Sequence, residues 1–538
     1  MNETIEHLKK NLIKIISETN GLSLNHTLEL LLAQADTTEN EKSIITDFLE
    51  LVHLFQGDKI KIDELLNHPI SEVLFFFFKN FPLPYCEEHI HLTGSLHESF
   101  IFPYLKNILE SDDGDQVLKK VSEVYEKEVS INSEEDVKEL IQLKEGEEFS
   151  EYLKILYLPK VILRNKEIHT KASYHMAKRL YEEFNVGSIR LKFTLSRSTA
   201  IESEKIPGVE NVTSEDVVLG LYDGFKKYQQ ENDQFSFTLT PCFRKELDFY
   251  DKENYSSKKE HFESQVKDIL ELIEKYPFLE NVLNEVDTVG DEKGLYRKAH
   301  FEEMKDGFRK LQYNGFKIKS HHGETWKVLR KGVQSVDNAM NIWHIDTLEH
   351  GISLGINPNY YFHRIIQDTI ALNEQENALP KGSVLSNEIE DIQGLPEEIK
   401  RKLEKGIKIT TIEKDMLIKE KFHHAREIEH YQHDVLNRMI NKKVSLVALP
   451  SSNLKLTGAF PDYKDHPFSW WERKGVQLGI GTDNYITLQT NFIREMLILL
   501  FSESESLKIT KLLMIATKEK RRPLISAKLW QMRKKFCR

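Results

Sequence analysis

The sequence predicts an α/β fold of the (β/α)8 barrel type. Eight short segments with strand character alternate with helix-like stretches, the pattern of repeated β-α units around a parallel sheet. Four of the eight end in histidine or carboxylate side chains, and a barrel gathers its chemistry at the C-terminal ends of its strands. Two connections are far longer than a barrel needs, which predicts added helical parts.

In chain order, residues 1–82 read as an N-terminal helical cap. Ile5, Leu8, Leu12 and Ile16 share one helical face, and Leu28, Leu31 and Leu32 form a second set. The barrel is expected over 83–516. Its candidate strands are Tyr85–His91, Ser188–Leu195, Phe235–Cys242, Val282–Asp287, Phe316–His321, Thr347–His350, Ser445–Leu449 and Val476–Thr482. Residues 96–187, between the first two strands, are mostly charged helical sequence. After the sixth strand a hundred residues intervene where a whole β-α-β unit takes about thirty, so a helical insertion, a lid or an oligomer contact, is expected at about 358–422. Residues 517–538 form a basic tail in which Lys518, Lys520, Arg521, Arg522, Lys528, Arg533, Lys534, Lys535 and Arg538 face only Glu519. Such a run reads as a solvated terminal helix or frayed tail, with phosphate binding as the alternative.

Composition narrows the function. With 40% hydrophobic and 30% charged residues the chain is of ordinary globular type. Its longest apolar run, Val73–Phe78, is far short of the roughly 20 residues that span a bilayer, so no membrane partner is expected. A net charge of −12 argues against general RNA or DNA binding, leaving only the basic tail for it. Three scattered cysteines, Cys86, Cys242 and Cys537, and an N-terminus without signal-peptide character fit a reducing cytoplasm. Homo-oligomerisation through the cap or insertion is an open expectation.

His89-Ile90-His91 ends the first strand, where alternate residues share a face and two imidazoles can share a metal. Among 21 histidines a single His-x-His pair means little. Its weight comes from later strand ends: His321-His322-Gly323-Glu324 at the fifth, Glu349-His350-Gly351 at the sixth and Thr482-Asp483-Asn484 at the eighth. Three neutral imidazoles (His89, His91, His321) with one carboxylate (Asp483) suit Zn²⁺, one per chain, with a position left for water.

At this point the sequence resembles the adenosine deaminase family of the amidohydrolase superfamily. The matching stretches are His89-Ile-His-Leu-Thr-Gly-Ser-Leu, Val286-Asp-Thr-Val-Gly-Asp-Glu, His321-His-Gly-Glu, Glu349-His-Gly, Pro450-Ser-Ser-Asn-Leu, His466-Pro and Thr482-Asp-Asn, in the family's order. The resemblance implies attack of an activated water at purine C6. It makes Glu324 the proton donor to ring N1, His350 the group that orients the attacking oxygen, and Asp483 both ligand and proton acceptor. It places the Gly290 backbone N–H opposite purine N3 and Asp287 behind the metal. Members with large insertions occur in bacterial antiviral systems, so the resemblance admits that setting as well.

Three departures bear on substrate. Thr93 stands where the family usually has an Asp for the ribose 5′-hydroxyl; a threonine can donate to a 5′-phosphate that a carboxylate repels, so an adenine nucleoside or 5′-nucleotide is the expected partner. Asn484 replaces a second Asp facing purine N7, and its amide can donate there without a shifted pKa. His322 replaces an Ala and is open to contacting substrate, lining the barrel or pointing outward. Lys192, Arg197 and Arg244 near strand ends are candidate phosphate partners. His423, His424, His430 and His433 offer a second metal site or, as the plainer reading, a polar helix face. The rival functions are another amidohydrolase reaction and a non-catalytic nucleotide sensor or scaffold. A cytidine-deaminase-type site is excluded, because Pro241-Cys242 has no following Cys-x-x-Cys partner.

Overall fold

A computed structural model of the chain describes residues 2–147, 149–195 and 205–537. Eight strands follow in order: β1 Tyr85–His91, β2 Val186–Thr194, β3 Ser236–Arg244, β4 Glu285–Val289, β5 Lys317–His322, β6 Thr347–His350, β7 Ser445–Ala448 and β8 Leu478–Ile480. Each pairs in parallel with the next. The ring closes where β1 meets the end of β8: the His91 N–H donates to the Asp483 carbonyl at 2.8 Å and the Asp483 N–H to the His89 carbonyl at 2.9 Å. The fold is the expected (β/α)8 barrel, and its seam runs through residues expected to carry the chemistry.

Strand limits moved where backbone geometry overrides apolar pattern. Val282 ends the 3-10 turn Pro277–Asn281, so β4 starts at Glu285. β8 stops at Ile480 because the chain then turns into Asp483, whose φ of 67° is incompatible with a strand. Between Glu87 and Ile90 the β1–β2 register shifts, an irregularity that re-aims strand side chains.

The first eighty residues fold into the helices Asn2–Thr19, Leu24–Leu32, Glu39–Gln56, Ile62–Leu66 and Pro69–Lys79. Ile5, Leu8, Leu12 and Ile16 are all buried. Their partner is the basic C-terminal segment, which forms a helix, Arg522–Phe536, with Ile525, Leu529 and Met532 buried and Arg533 paired to Glu18 at 2.8 Å. Frayed it is not, although Arg522, Lys534 and Lys535 face solvent. Between β6 and β7 lie helices Pro358–Glu374, Val384–Asp391, Glu397–Glu404 and Thr411–Asn441. These carry a small apolar core of their own around Ile389, Ile392, Leu395, Leu403 and Leu417, which explains how so long a connection stays ordered. Among the described residues no helix is long and apolar enough to cross a membrane.

Candidate active site

The strand ends deliver one part each: His89 and His91 from β1, Asp287 from β4, His321 from β5 with Glu324 just beyond it, and Glu349 with His350 from β6. Asp483 follows β8. Both His350 (φ 65°) and Asp483 (φ 67°) take the left-handed backbone conformation, uncommon without glycine and least so for Asp, Asn and His. At His350 this turn breaks the alternation of the strand, so the adjacent side chains of Glu349 and His350 both reach the barrel interior.

Nitrogens converge there. His89 Nε2 lies 3.1 Å from His91 Nε2, which is 3.3 Å from His321 Nε2 and 3.5 Å from Asp483 Oδ1. The Nδ1 atoms face carboxylates, His89 Nδ1 at 2.8 Å from Glu349 Oε2 and His321 Nδ1 at 3.1 Å from Asp287 Oδ1. Each carboxylate therefore accepts a hydrogen bond from an Nδ1–H, which leaves the Nε2 lone pair facing the cluster. Burial, reinforced by Lys192, holds His89 well below the usual histidine range, so it stays neutral. Lone pairs and a carboxylate oxygen facing one another this closely are what a cation satisfies. Two groups, one of His89, His91 and Asp483 and one of His89, His321 and His350, each bring their ligand atoms close enough together to hold a divalent metal.

Beneath it, Glu349 Oε1 accepts from Lys192 at 3.1 Å and from Lys319 at 2.9 Å, and Lys192 also donates to Asp287. Burial works against ionising Glu349, but Lys192 and Lys319 hold it well below the carboxylate range. Lys192 lines the cavity floor with its charge committed to these two acids.

Above the cluster opens a cavity lined by His91, Thr93, Tyr152, Gly290, Glu324 and Asp483, among others. Burial, with the charge of Asp483, raises the Glu324 carboxyl well above its ordinary value. Glu292 fixes the turn that carries it, its carboxylate accepting the backbone N–H groups of Gly323, Glu324 and Thr325 at 2.9, 2.6 and 2.7 Å. Asp483 is pushed up to about 6 by burial, against the Ser452 hydroxyl that donates to it at 2.6 Å.

His350 is fully buried with Nε2 3.8 Å from Glu324 Oε1. Its other nitrogen is addressed by a relay. The Phe468 N–H donates to His466 Nδ1 at 3.2 Å, so the neutral His466 carries its proton on Nε2 and donates to Asn453 Oδ1 at 3.1 Å. The Asn453 amide nitrogen then donates to His350 Nδ1 at 3.0 Å. His350 must hold its proton on Nε2, toward Glu324.

Gly290 lines the cavity with φ 102°, and a Cβ there would sit 2.2 Å from the Glu246 carboxylate. Asn484 is placed differently from the sequence expectation: it is fully buried, and its amide is turned onto Tyr152 and Asp483 while Tyr152 lines the cavity. His322 points into the helix layer, between Phe301 and Trp343, with Nδ1 2.6 Å from Ser320 Oγ. Arg244 lines the cavity and pairs with Glu246 at 2.6 Å; Arg197 lies outside the described residues. Of the four helical histidines, His424 packs on Phe362, His433 on Trp470, and His423 and His430 are exposed. None joins a metal-type group among the described residues.

Sequence reasoning gave no role to Glu349, Lys319, Glu292, Asn453, His466 or Tyr152. Lys319 was within reach, since it stands two residues before His321 and so on the same strand face. Tyr152 belongs to no motif.

A parallel barrel whose mouth joins a His-Asp cluster able to hold a metal to a buried carboxyl suits hydrolytic chemistry on a small molecule. The profile of the adenosine deaminase family matches residues 84–503, and the chain belongs to that family. Among solved structures it is similar to the N6-mAMP deaminase of Arabidopsis, at 13% identity and a TM-score of 0.50 over 86% of this chain and 99% of that one. It is equally similar to Arabidopsis ADAL in complex with IMP, at 13% identity and a TM-score of 0.50 over 86% and 97%. No curated protein sequence matches the chain significantly.

Proposed function

We propose that the chain is a zinc-dependent hydrolytic deaminase of the adenine ring, acting at C6 of a nucleoside or 5′-nucleotide and releasing ammonia and the inosine-type product. The observation that carries this reading is Glu324, a buried carboxyl facing the same cavity as the His-Asp cluster, with its proton affinity raised by that burial. A proton delivered to ring N1 makes C6 electrophilic, which is the step that purine deamination requires. Three imidazoles and one carboxylate favour zinc among divalent ions. Bound there, the ion would supply Lewis acidity to the attacking water.

The remaining roles belong to the side chains. Asp483 takes a proton from the water, and the His350 Nε2–H, set by the Asn453 donor at Nδ1, orients the attacking oxygen. Thr93 and Thr194 line the cavity, and hydroxyl donors there suit a 5′-phosphate that a carboxylate at Thr93 would repel. The test is metal analysis together with ammonia release from adenosine and its mono-, di- and triphosphates, with Glu324→Gln as the control. Turnover of a 5′-nucleotide that Glu324→Gln abolishes supports the reading. Metal-loaded protein inert on the whole panel supports the sensor or scaffold instead.

A further inference from the structure

Tyr152 sits on the short helix Phe149–Ile155, in the long connection between β1 and β2, with its ring against Phe149 and its side chain among the residues that line the cavity. That hydroxyl accepts from the Asn484 side-chain nitrogen at 2.5 Å. The same nitrogen lies 2.6 Å from Asp483 Oδ1. The carboxylate settles which end of the amide is which, because the reversed amide would set oxygen against oxygen. Both Asn484 N–H bonds are then committed, one to Asp483 and one to Tyr152. Its carbonyl is pressed toward Gly94, where a Cβ would come within 1.7 Å of Oδ1. Asn484 has no donor left for a ligand.

Tyr152 has one. Its oxygen accepts from Asn484, so its own proton is directed elsewhere; among the described residues it reaches Asp483 Oδ1 at 3.5 Å, the long end of the hydrogen-bond range, a bond that a closer acceptor on a ligand displaces. A phenol carries its proton at neutral pH without any special environment. A purine presents N1 and N7 on the two flanks of C6. With Glu324 serving N1, the donor beside Asp483 serves N7.

Building on the deaminase reading, we propose that Tyr152 is the substrate-contacting donor to purine N7 and that Asn484 is a positioning residue that turns the Tyr152 hydroxyl into the cavity. The interaction draws electron density from the ring as C6 is attacked and selects purines over 7-deaza analogues, whose C7–H cannot accept.

The test compares kcat/KM for the best adenine substrate and for its 7-deaza analogue in the wild type and in Tyr152→Phe. The wild type is expected to prefer the purine by about 10- to 100-fold, the range for a buried donor left unpaired. Tyr152→Phe should lose a similar factor on the purine, little on the analogue, and bring the ratio near one with metal content unchanged. A merely structural tyrosine would depress both substrates together. No discrimination in the wild type overturns the proposal, as does full discrimination in Tyr152→Phe, and the wild-type comparison holds even if the variant folds poorly. If the wild type releases no ammonia from any adenine compound, the deaminase reading has failed by itself. The Tyr152 proposal is then decided by calorimetric titration with IMP and 7-deaza-IMP: tighter binding of IMP that Tyr152→Phe removes sustains it, and equal affinities overturn it.

Discussion

Glu349 Oε2 accepts the Nδ1 proton of His89 at 2.8 Å while its other oxygen lies between two buried lysines, Lys192 at 3.1 Å and Lys319 at 2.9 Å. One carboxylate thus aims a candidate ligand and balances two ammonium groups in the barrel interior. Such an arrangement is costly to break, since removing one partner leaves the others buried without compensation.

Glu349→Gln keeps the volume and removes the charge. Metal affinity is expected to fall about 10- to 100-fold, the usual cost of losing a carboxylate behind a ligating histidine. Stability should fall too, by about 3 kcal/mol, because Lys192 and Lys319 lose their shared counter-ion. Chelator competition and chemical unfolding measure the two separately. Unchanged metal affinity with lowered stability would assign Glu349 to charge balance alone.

The barrel and the histidine set were legible in the sequence because strand periodicity and motif spacing are local properties. His89 and His91 announce themselves by alternation, and His321 and Asp483 by recurring at strand ends. What stayed hidden depends on contacts between distant segments. Glu349 was read past because strict alternation sends neighbours to opposite faces, and only the left-handed turn at His350 lets both face inward. Tyr152 comes from a connection without regular strand or motif signals, and its place beside Asn484 is set by packing across 332 residues of chain. The amide of Asn484 was expected to meet ligand, but the adjoining carboxylate and Gly94 dictate another direction.

A pH dependence is expected where the insertion meets the barrel. Glu388 Oε1 accepts the Leu329 N–H at 2.7 Å and the Tyr361 hydroxyl at 2.9 Å, and burial pushes its carboxyl from 4.5 up to about 8. Between those values the folded chain holds a proton that the unfolded chain has lost. Stability from this group is therefore fully present below about 4.5 and is lost as pH rises through about 8. Unfolding midpoints taken on either side of that window should fall with pH in the wild type. Glu388→Gln, which cannot ionise, should flatten the slope; an unaltered slope would remove Glu388 from the account.

Gly290→Ala tests the backbone at the cavity wall. Alanine must adopt φ 102° and place its Cβ 2.2 Å from Glu246 Oε2, displacing a carboxylate held by Arg244 and by the Asp291 N–H. Strain of this kind costs about 1–3 kcal/mol. Because Gly290 lies on the wall and not among the candidate ligands, the expectation is a kcat/KM reduced about tenfold or more at full metal occupancy. Loss of metal together with activity would show that the strain reaches the ligands.

The relay from His466 through Asn453 to His350 gives the sharpest test of proton placement. Asn453→Asp replaces the donor facing His350 Nδ1 with an acceptor, so the His350 proton is drawn onto Nδ1 and Nε2 is left bare toward Glu324. A protonated Glu324 would then give its hydrogen to His350 instead of to ring N1. When a histidine is held in the wrong tautomer by exchanging its orienting amide and carboxylate, kcat falls by as much as about 10⁴. Asn453→Asp is therefore expected to lower kcat about 10²- to 10⁴-fold with KM and metal content little changed. Asn453→Ala, which frees the tautomer without forcing it, should lose less. Nitrogen chemical shifts of labelled His350 report the tautomer directly, and equal losses in both variants with an Nε2 proton retained would show that the relay supports the fold and not the chemistry.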